Sequence, residues 1–256
     1  VGVYKDAHGN TPIMRSIKKA ESHLWKTEST KTYTSMTGDS GFHNAMADLV
    51  LADSVDRDRL SFCATPGGTG AIHHVLELVK LTGSNPKIWF SDPTWGNHLT
   101  IAKHLKMTVG KYSYFNNETR AVNFEAMVSD LSKISNGDIV VLHGCCHNPT
   151  GANLNNEQWN IIADLLLEKD AIPFIDIAYQ GFGEGIEEDA FGTRLLASKF
   201  PEMFIAASCS KNFGIYRERC GIVITVSKNP DISSITQGNL SYVNRQNFSF
   251  PPDHGA

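Results

Sequence analysis

Between Thr65 and Val226 short apolar runs alternate with amphipathic stretches, and this rhythm constrains the fold more than any other feature of the chain. Lys87–Phe90, Met107–Tyr114, Ile139–Leu142, Pro173–Ile177, Phe204–Ala207 and Ile222–Val226 read as strands. Helical patterns separate them over Ala71–Leu81, Asn97–Leu105, Asn156–Lys169 and Ala190–Lys199, and Asn123 is expected to cap a helix through Ile134. Strands bounded by helices at this spacing predict an α/β fold, a mostly parallel central sheet flanked by helices on both faces. Ligands then gather at loops beyond the strand ends. Upstream, Thr11-Pro12 predicts a cap followed by proline at the first helical position, opening a helix to about Thr27. A second helix runs from about Gly41 to Leu51, and Val1-Gly2-Val3-Tyr4-Lys5 reads as the middle of a strand.

Charge and composition remove several functions. The 23 Lys+Arg and 27 Asp+Glu give a net charge of −4, without the cationic surplus that holds a nucleic-acid partner. No apolar run is long enough for a spanning helix, and the first residues lack the pattern of a signal peptide, so neither nucleic acid nor membrane is an expected partner. Five cysteines, an odd number with Cys145 and Cys146 adjacent, suit a reduced, cytoplasmic protein better than a disulfide framework.

The densest chemistry lies in Ser208-Cys209-Ser210-Lys211-Asn212-Phe213-Gly214, followed by Tyr216-Arg217-Glu218-Arg219. A lysine just past a buried strand, beside serines and arginines, suits an amine that attacks an aldehyde next to an anion site. The same composition also describes a solvated basic loop. Asp176 ends an apolar strand, where an unpaired carboxylate is costly, although a strand-end carboxylate can simply cap a turn. Gly67-Gly68-Thr69-Gly70 could be a phosphate turn at a helix start. A dinucleotide fingerprint would need Gly or Ala three residues after Gly70, where His73 stands. His143-Gly144-Cys145-Cys146-His147 has zinc-type ligands at the wrong spacing, and adjacent side chains on an extended segment point apart, so no metal is expected.

Several stretches in one order carry a resemblance: Gly2–Asp6, Pro66–Ala71, Asp92–Trp95, His143–Gly151, Asp176–Phe182 and Ser208–Arg219. With them the chain resembles the aspartate and aromatic aminotransferases, fold-type I enzymes that use pyridoxal 5′-phosphate. The wording of Ser208–Arg219, Asn244–Gln246 and Phe248–Pro252 is most similar to the bacterial aromatic-amino-acid enzymes. The resemblance implies transfer of an amino group between aspartate, phenylalanine or tyrosine and 2-oxoglutarate or oxaloacetate. It implies Lys211 as the residue that holds the cofactor aldehyde and moves the substrate proton, and Asp176 as the partner of the ring nitrogen. Tyr179 and Asn148 are implied at the ring oxygen, and Trp95 on the ring face. Gly68, Thr69, Ser208, Ser210 and Arg219 are implied around the phosphate, with Tyr33 reaching it in a neighbouring subunit of a homodimer that shares its sites. Gly2, Trp95 and Asn148 are implied at the substrate, with Arg245 reaching its distal carboxylate from the partner subunit. His98 and His143 are implied to hold Asp176. Family members continue beyond Ala256, so residues 1–15 are expected to be a remnant of a small domain that is largely missing, and 16–256 the large cofactor-binding domain. In that form the chain could bind the cofactor without transaminating, because the arginine that grips the α-carboxylate would lie outside it.

Overall fold

A computed structural model describes residues 2–256; Val1, the first residue of the expected 1–15 remnant, lies outside the described residues. In chain order the elements are α1 (Arg15–Thr27), α2 (Ser40–Leu51), β1 (Leu60–Pro66), α3 (Gly67–Leu81), β2 (Lys87–Asp92), α4 (Gly96–His104) and β3 (Thr108–Ser113). A small hairpin pairs β4 (Phe115–Asn116) with β5 (Ala121–Val122) and leads to α5 (Phe124–Leu131), β6 (Ile139–His143), α6 (Asn156–Glu168) and β7 (Ile172–Ile177). The chain continues through α7 (Phe191–Lys199), β8 (Met203–Ser208), β9 (Cys220–Val226) and α8 (Pro230–Asn247).

Seven strands form one sheet in the order β1-β9-β8-β7-β6-β2-β3. β9 runs antiparallel to both of its neighbours, and the pairs from β8 to β3 are parallel. β1 therefore runs in the same direction as β8, and the carboxyl ends of β1, β2, β6, β7 and β8 meet the start of β9 along one rim.

Side chains alternate across the sheet with the period of two that a strand imposes. Val140, Leu142, Ile175, Ile177 and Ile205 face one layer, built from α2, α5, α6 and α7. Ile139, Val141, Phe174, Ala206 and Val223 face the other, built from α3, α4 and α8. Burial on both faces is what makes these strands read as continuous apolar runs. α6 shows how one helix enters this core. Asn155 accepts from the Gln158 N–H while the Gln158 side chain accepts from the Asn155 N–H, a reciprocal capping box. Trp159, Ile162, Ala163 and Leu166 then face inward.

Several expectations need correction. α1 starts at Arg15 and not at Thr11-Pro12, because the Thr11 hydroxyl donates to the Tyr4 carbonyl and is spent on the preceding loop. Its thirteen residues bury no side chain. Residues 2–5 form no strand; the Tyr4 N–H turns instead to the hydroxyl of Tyr216. Asn123 stands at the start of α5 without a side-chain capping bond, and that helix ends at Leu131. α3 begins at Gly67, four residues earlier than Ala71, so the glycine-rich turn is its first turn.

Ile162 is fully buried and its neighbour Ile161 is exposed. Ile162→Ala should cost about 2–5 kcal/mol in urea unfolding, while Ile161→Ala should stay within about 0.5 kcal/mol. Equal losses would contradict this placement of the helix face.

Candidate functional site

The loops at the shared rim enclose a cavity of about 600 Å³. Asp176 stands in β7 at its floor, paired in register with His143 of β6. Its carboxylate is mostly buried and accepts from His98 Nε2 at 3.0 Å. Behind this bond runs a directed chain of hydrogen bonds. The Asn148 backbone N–H can only donate, and it meets His143 Nδ1 at 3.4 Å. The other His143 nitrogen, Nε2, then donates to Thr94 Oγ1 at 3.3 Å, and the single Thr94 hydroxyl proton goes to His98 Nδ1 at 2.8 Å. That leaves His98 Nε2–H for Asp176. His98 thus bonds Asp176 directly, and His143 supports it through Thr94 and His98.

The electrostatics agree with this assignment. Burial pushes Asp176 up, but the His98 bond, the electrostatic pull of the His98 and His143 rings and the charge of Lys211 outweigh it and hold the carboxyl below its ordinary value. Burial drives His143 down to about 4, which keeps it neutral as the chain requires. Lys211, half-buried in the turn after β8, sits below the ordinary lysine range: burial lowers it, Asp176 raises it and Arg219 lowers it again. Its Nζ lies 5.3 Å from the centroid of the Tyr179 ring. Burial, followed by the Asp176 charge, pushes the Tyr179 hydroxyl up.

One wall is a cradle at the start of α3. Gly67 has φ +70°, and a Cβ there would lie 2.2 Å from Arg219 Nη2, so glycine alone fits. A Cβ on Gly68 would come within 3.0 Å of Ser208 Cβ. Arg219, itself at φ +55°, donates from Nη1 to Ser210 Oγ (3.3 Å) and the Tyr216 carbonyl (3.1 Å), and from Nη2 to the Pro66 carbonyl (3.3 Å). Its own carbonyl accepts the Gly67 N–H at 2.8 Å. Gly68 and Thr69 N–H groups at a helix N-terminus, two serine hydroxyls and a guanidinium make this wall suited to a doubly charged anion.

Of the residues expected at the site, Gly2, Gly68, Thr69, Trp95, Asn148 and Asp176 line the cavity, and so do Tyr179, Ser208, Ser210, Lys211 and Arg219. Tyr33 and Arg245 do not. Tyr33 is 82% exposed and stacks on Phe250, and Arg245 is exposed on α8. Sequence reasoning missed Tyr216 and Ile72 on the cavity wall and Thr94 behind it. Tyr216 sits five residues after Lys211, in the same loop between β8 and β9, which was the available signal.

The rival readings meet other geometry. β1 is an edge strand paired antiparallel with β9, so the glycine turn does not open the parallel unit that a dinucleotide fold requires. Cys145 and Cys146 do not point apart as expected. Cys146 takes φ +47°, and both sulfurs converge with the Asp189 carboxylate, all within 4.8 Å. That carboxylate already accepts N–H bonds from Gly181, Gly183 and Glu184 at 2.8–3.0 Å and anchors their loop. The two histidines are engaged elsewhere, His147 with Ser91 and Thr150.

As pH falls below the ordinary histidine value of 6.5, the unfolded chain binds a proton that folded His143 refuses until about pH 4. Stability should therefore decline across that window, and less steeply in His143→Gln. Parallel urea midpoints for both proteins between pH 7 and pH 4 would contradict a neutral His143.

Residues 1–248 match the family model described as aminotransferase class I and II. The chain is 51% identical to an aromatic-amino-acid aminotransferase of Paracoccus denitrificans and 38% identical to an aspartate aminotransferase of Escherichia coli (strain K12), in each case over 100% of this chain and 65% of the relative. The chain thus spans about 65% of the length of these curated relatives. It superposes with a TM-score of 0.98 on an aromatic amino acid aminotransferase solved with 3-indolebutyric acid, at 51% identity and covering 100% of this chain and 65% of that one. The score is 0.96, at 35% identity and the same coverage, for an aromatic-amino-acid aminotransferase from Burkholderia pseudomallei covalently bound to pyridoxal phosphate.

Proposed function

Because the chain belongs to the aminotransferase class I and II family, we propose that it forms the cofactor-binding body of a pyridoxal-phosphate aminotransferase. Its amino donors are aspartate or the aromatic amino acids, and its acceptors 2-oxoglutarate or oxaloacetate. The observation that carries this reading is the convergence of an ionised, mostly buried carboxylate, a half-buried lysine and an anion cradle on one cavity. In the same reading residues 16–256 are the large domain and residues 1–15 belong with a small one.

The residues fit the cofactor. The cradle that a Gly67 Cβ would fill accepts a phosphate from Gly68, Thr69, Ser208, Ser210 and Arg219. When bound, pyridoxal phosphate supplies an aldehyde for amine exchange and a ring that takes up the electron pair left at the substrate Cα. Asp176 holds the proton on the ring nitrogen, since a carboxylate kept ionised beside that atom favours its charged form. Tyr179 and Asn148 donate to the ring oxygen, and Trp95 covers the ring face. Lys211 would take the substrate Cα proton and return it at the cofactor's former aldehyde carbon, across the amino nitrogen, a task that suits an amine whose affinity for protons burial has lowered. Gly2, Trp95 and Asn148 border the substrate.

A homodimer completes the reading. Tyr33 and Arg245 stand outside the chain's own cavity on exposed surface, and α1 presents Trp25 at 84% exposure. These groups suit a second copy, with Tyr33 reaching its phosphate and Arg245 the distal carboxylate of its substrate. The free thiols suit a cytoplasmic setting, and no helix among the described residues is long and apolar enough to cross a membrane.

The absorption spectrum of the chain mixed with pyridoxal phosphate, beside that of Lys211→Ala, tests the reading. The parent should show a pH-dependent visible band that glutamate or phenylalanine discharges, and the variant should lack it. A band that amino acids leave standing would restrict the chain to cofactor binding. No band from the folded parent would overturn the assignment.

A further inference from the structure

The first residues are attached to the rest of the molecule in an unusual way. Asp6 braces them internally, accepting N–H bonds from His8 at 2.9 Å and Asn10 at 2.8 Å, while its own N–H donates to the Asn10 carbonyl at 2.8 Å. The Thr11 hydroxyl closes the loop on the Tyr4 carbonyl at 3.0 Å. α1 follows without a buried side chain. The backbone first joins the sheet where the Ala64 N–H donates to the Thr37 carbonyl at 2.7 Å. Among the described residues before Glu28, one hydrogen bond reaches the body of the protein: the Tyr4 N–H donates to the Tyr216 hydroxyl at 2.9 Å, across 212 positions of sequence.

That bond falls where it matters. Gly2 and Val3, just before Tyr4, line the cavity, and so does Tyr216. The Tyr216 carbonyl meanwhile accepts from Arg219 Nη1 at 3.1 Å. One residue is therefore tied to the anion cradle through its backbone and to the cavity-lining first residues through its hydroxyl. We infer that Tyr216 is a positioning residue, whose hydroxyl fixes the Tyr4 backbone and so sets where Gly2 and Val3 stand over an amino-acid substrate. The role in substrate binding rests on the proposed function, whereas the latch itself does not. A braced loop with a single tether opens as a unit when the tether is cut. A net hydrogen bond of ordinary strength changes such an equilibrium by a factor of about two to twelve.

Two measurements on the cofactor-loaded protein test this. In hydrogen exchange, Tyr216→Phe should speed exchange of the Tyr4 amide by about two- to twelve-fold and leave α3 and β8 as protected as in the parent. Tyr4→Ala keeps the backbone donor and should keep the protection, since the Tyr4 side chain is exposed. In single-turnover discharge of the visible band, Tyr216→Phe should raise the half-saturating amino-acid concentration by a similar factor, more than it lowers the limiting rate, with the starting band unchanged. Unaltered exchange at Tyr4 in Tyr216→Phe overturns the latch. Faster exchange with an unaltered half-saturating concentration overturns the positioning role. If the parent binds no cofactor, the proposed function falls, and exchange measured on the protein alone still decides the latch.

Discussion

A carboxylate at the inner end of a central strand is the constraint around which this molecule is arranged. Asp176 cannot be left unpaired there, because an isolated buried charge costs several kcal/mol or more. The structure answers with an oriented donor, His98 Nε2, and with the Lys211 charge across the cavity. With His143 neutral, its Nδ1 accepts from the Asn148 backbone and its Nε2 donates to Thr94, and the chain ends with His98 Nε2 donating to Asp176. The carboxylate stays ionised, and its strongest remaining electrostatic need is for a positive group inside the cavity. A protonated ring nitrogen meets that need in the proposed function, and Lys211 feels the same charge from across the cavity.

The sheet makes this arrangement possible. Because β9 alone runs against its neighbours, its first residues arrive at the same rim as the last residues of β8, and Arg219 meets Ser210 within one short excursion of the chain. β1 delivers Gly67 to that rim from the other side of β9. The cradle thus draws on two loops from adjacent strands, and the carboxylate floor comes from β7, one strand beyond β8. Rigid strands set these distances, while the left-handed backbone at Arg219 and Gly67 lets guanidinium and helix terminus come together.

How much of this was legible depended on what each element buries. The central strands were readable because both faces are covered and most of their residues are apolar. β1 escaped notice because Ser61 and Thr65, both buried, break its apolar run; Ser61 spends its hydroxyl on Ser233 of α8. α8 in turn buries Ser233 and Asn244 beside Leu240 and Val243, so it shows little apolar stripe to a reader of sequence. At the site, Lys211, Asp176 and the glycine turn were visible because their chemistry is unusual for their place in the chain. Thr94 and Tyr216 were not, because nothing in a threonine or a tyrosine announces a partner 49 or 212 residues away. The direction of the proton chain is a property of the fold alone.

The central claim is that Asp176, held ionised by the His98 bond, keeps a proton on the cofactor's ring nitrogen. Nitrogen-15 NMR of the protein loaded with ring-labelled pyridoxal phosphate reads that proton directly. The account predicts the chemical shift of a protonated pyridine nitrogen throughout neutral pH in the parent, and of an unprotonated one in Asp176→Asn. An unprotonated shift in the parent, or the same shift in both proteins, would contradict it.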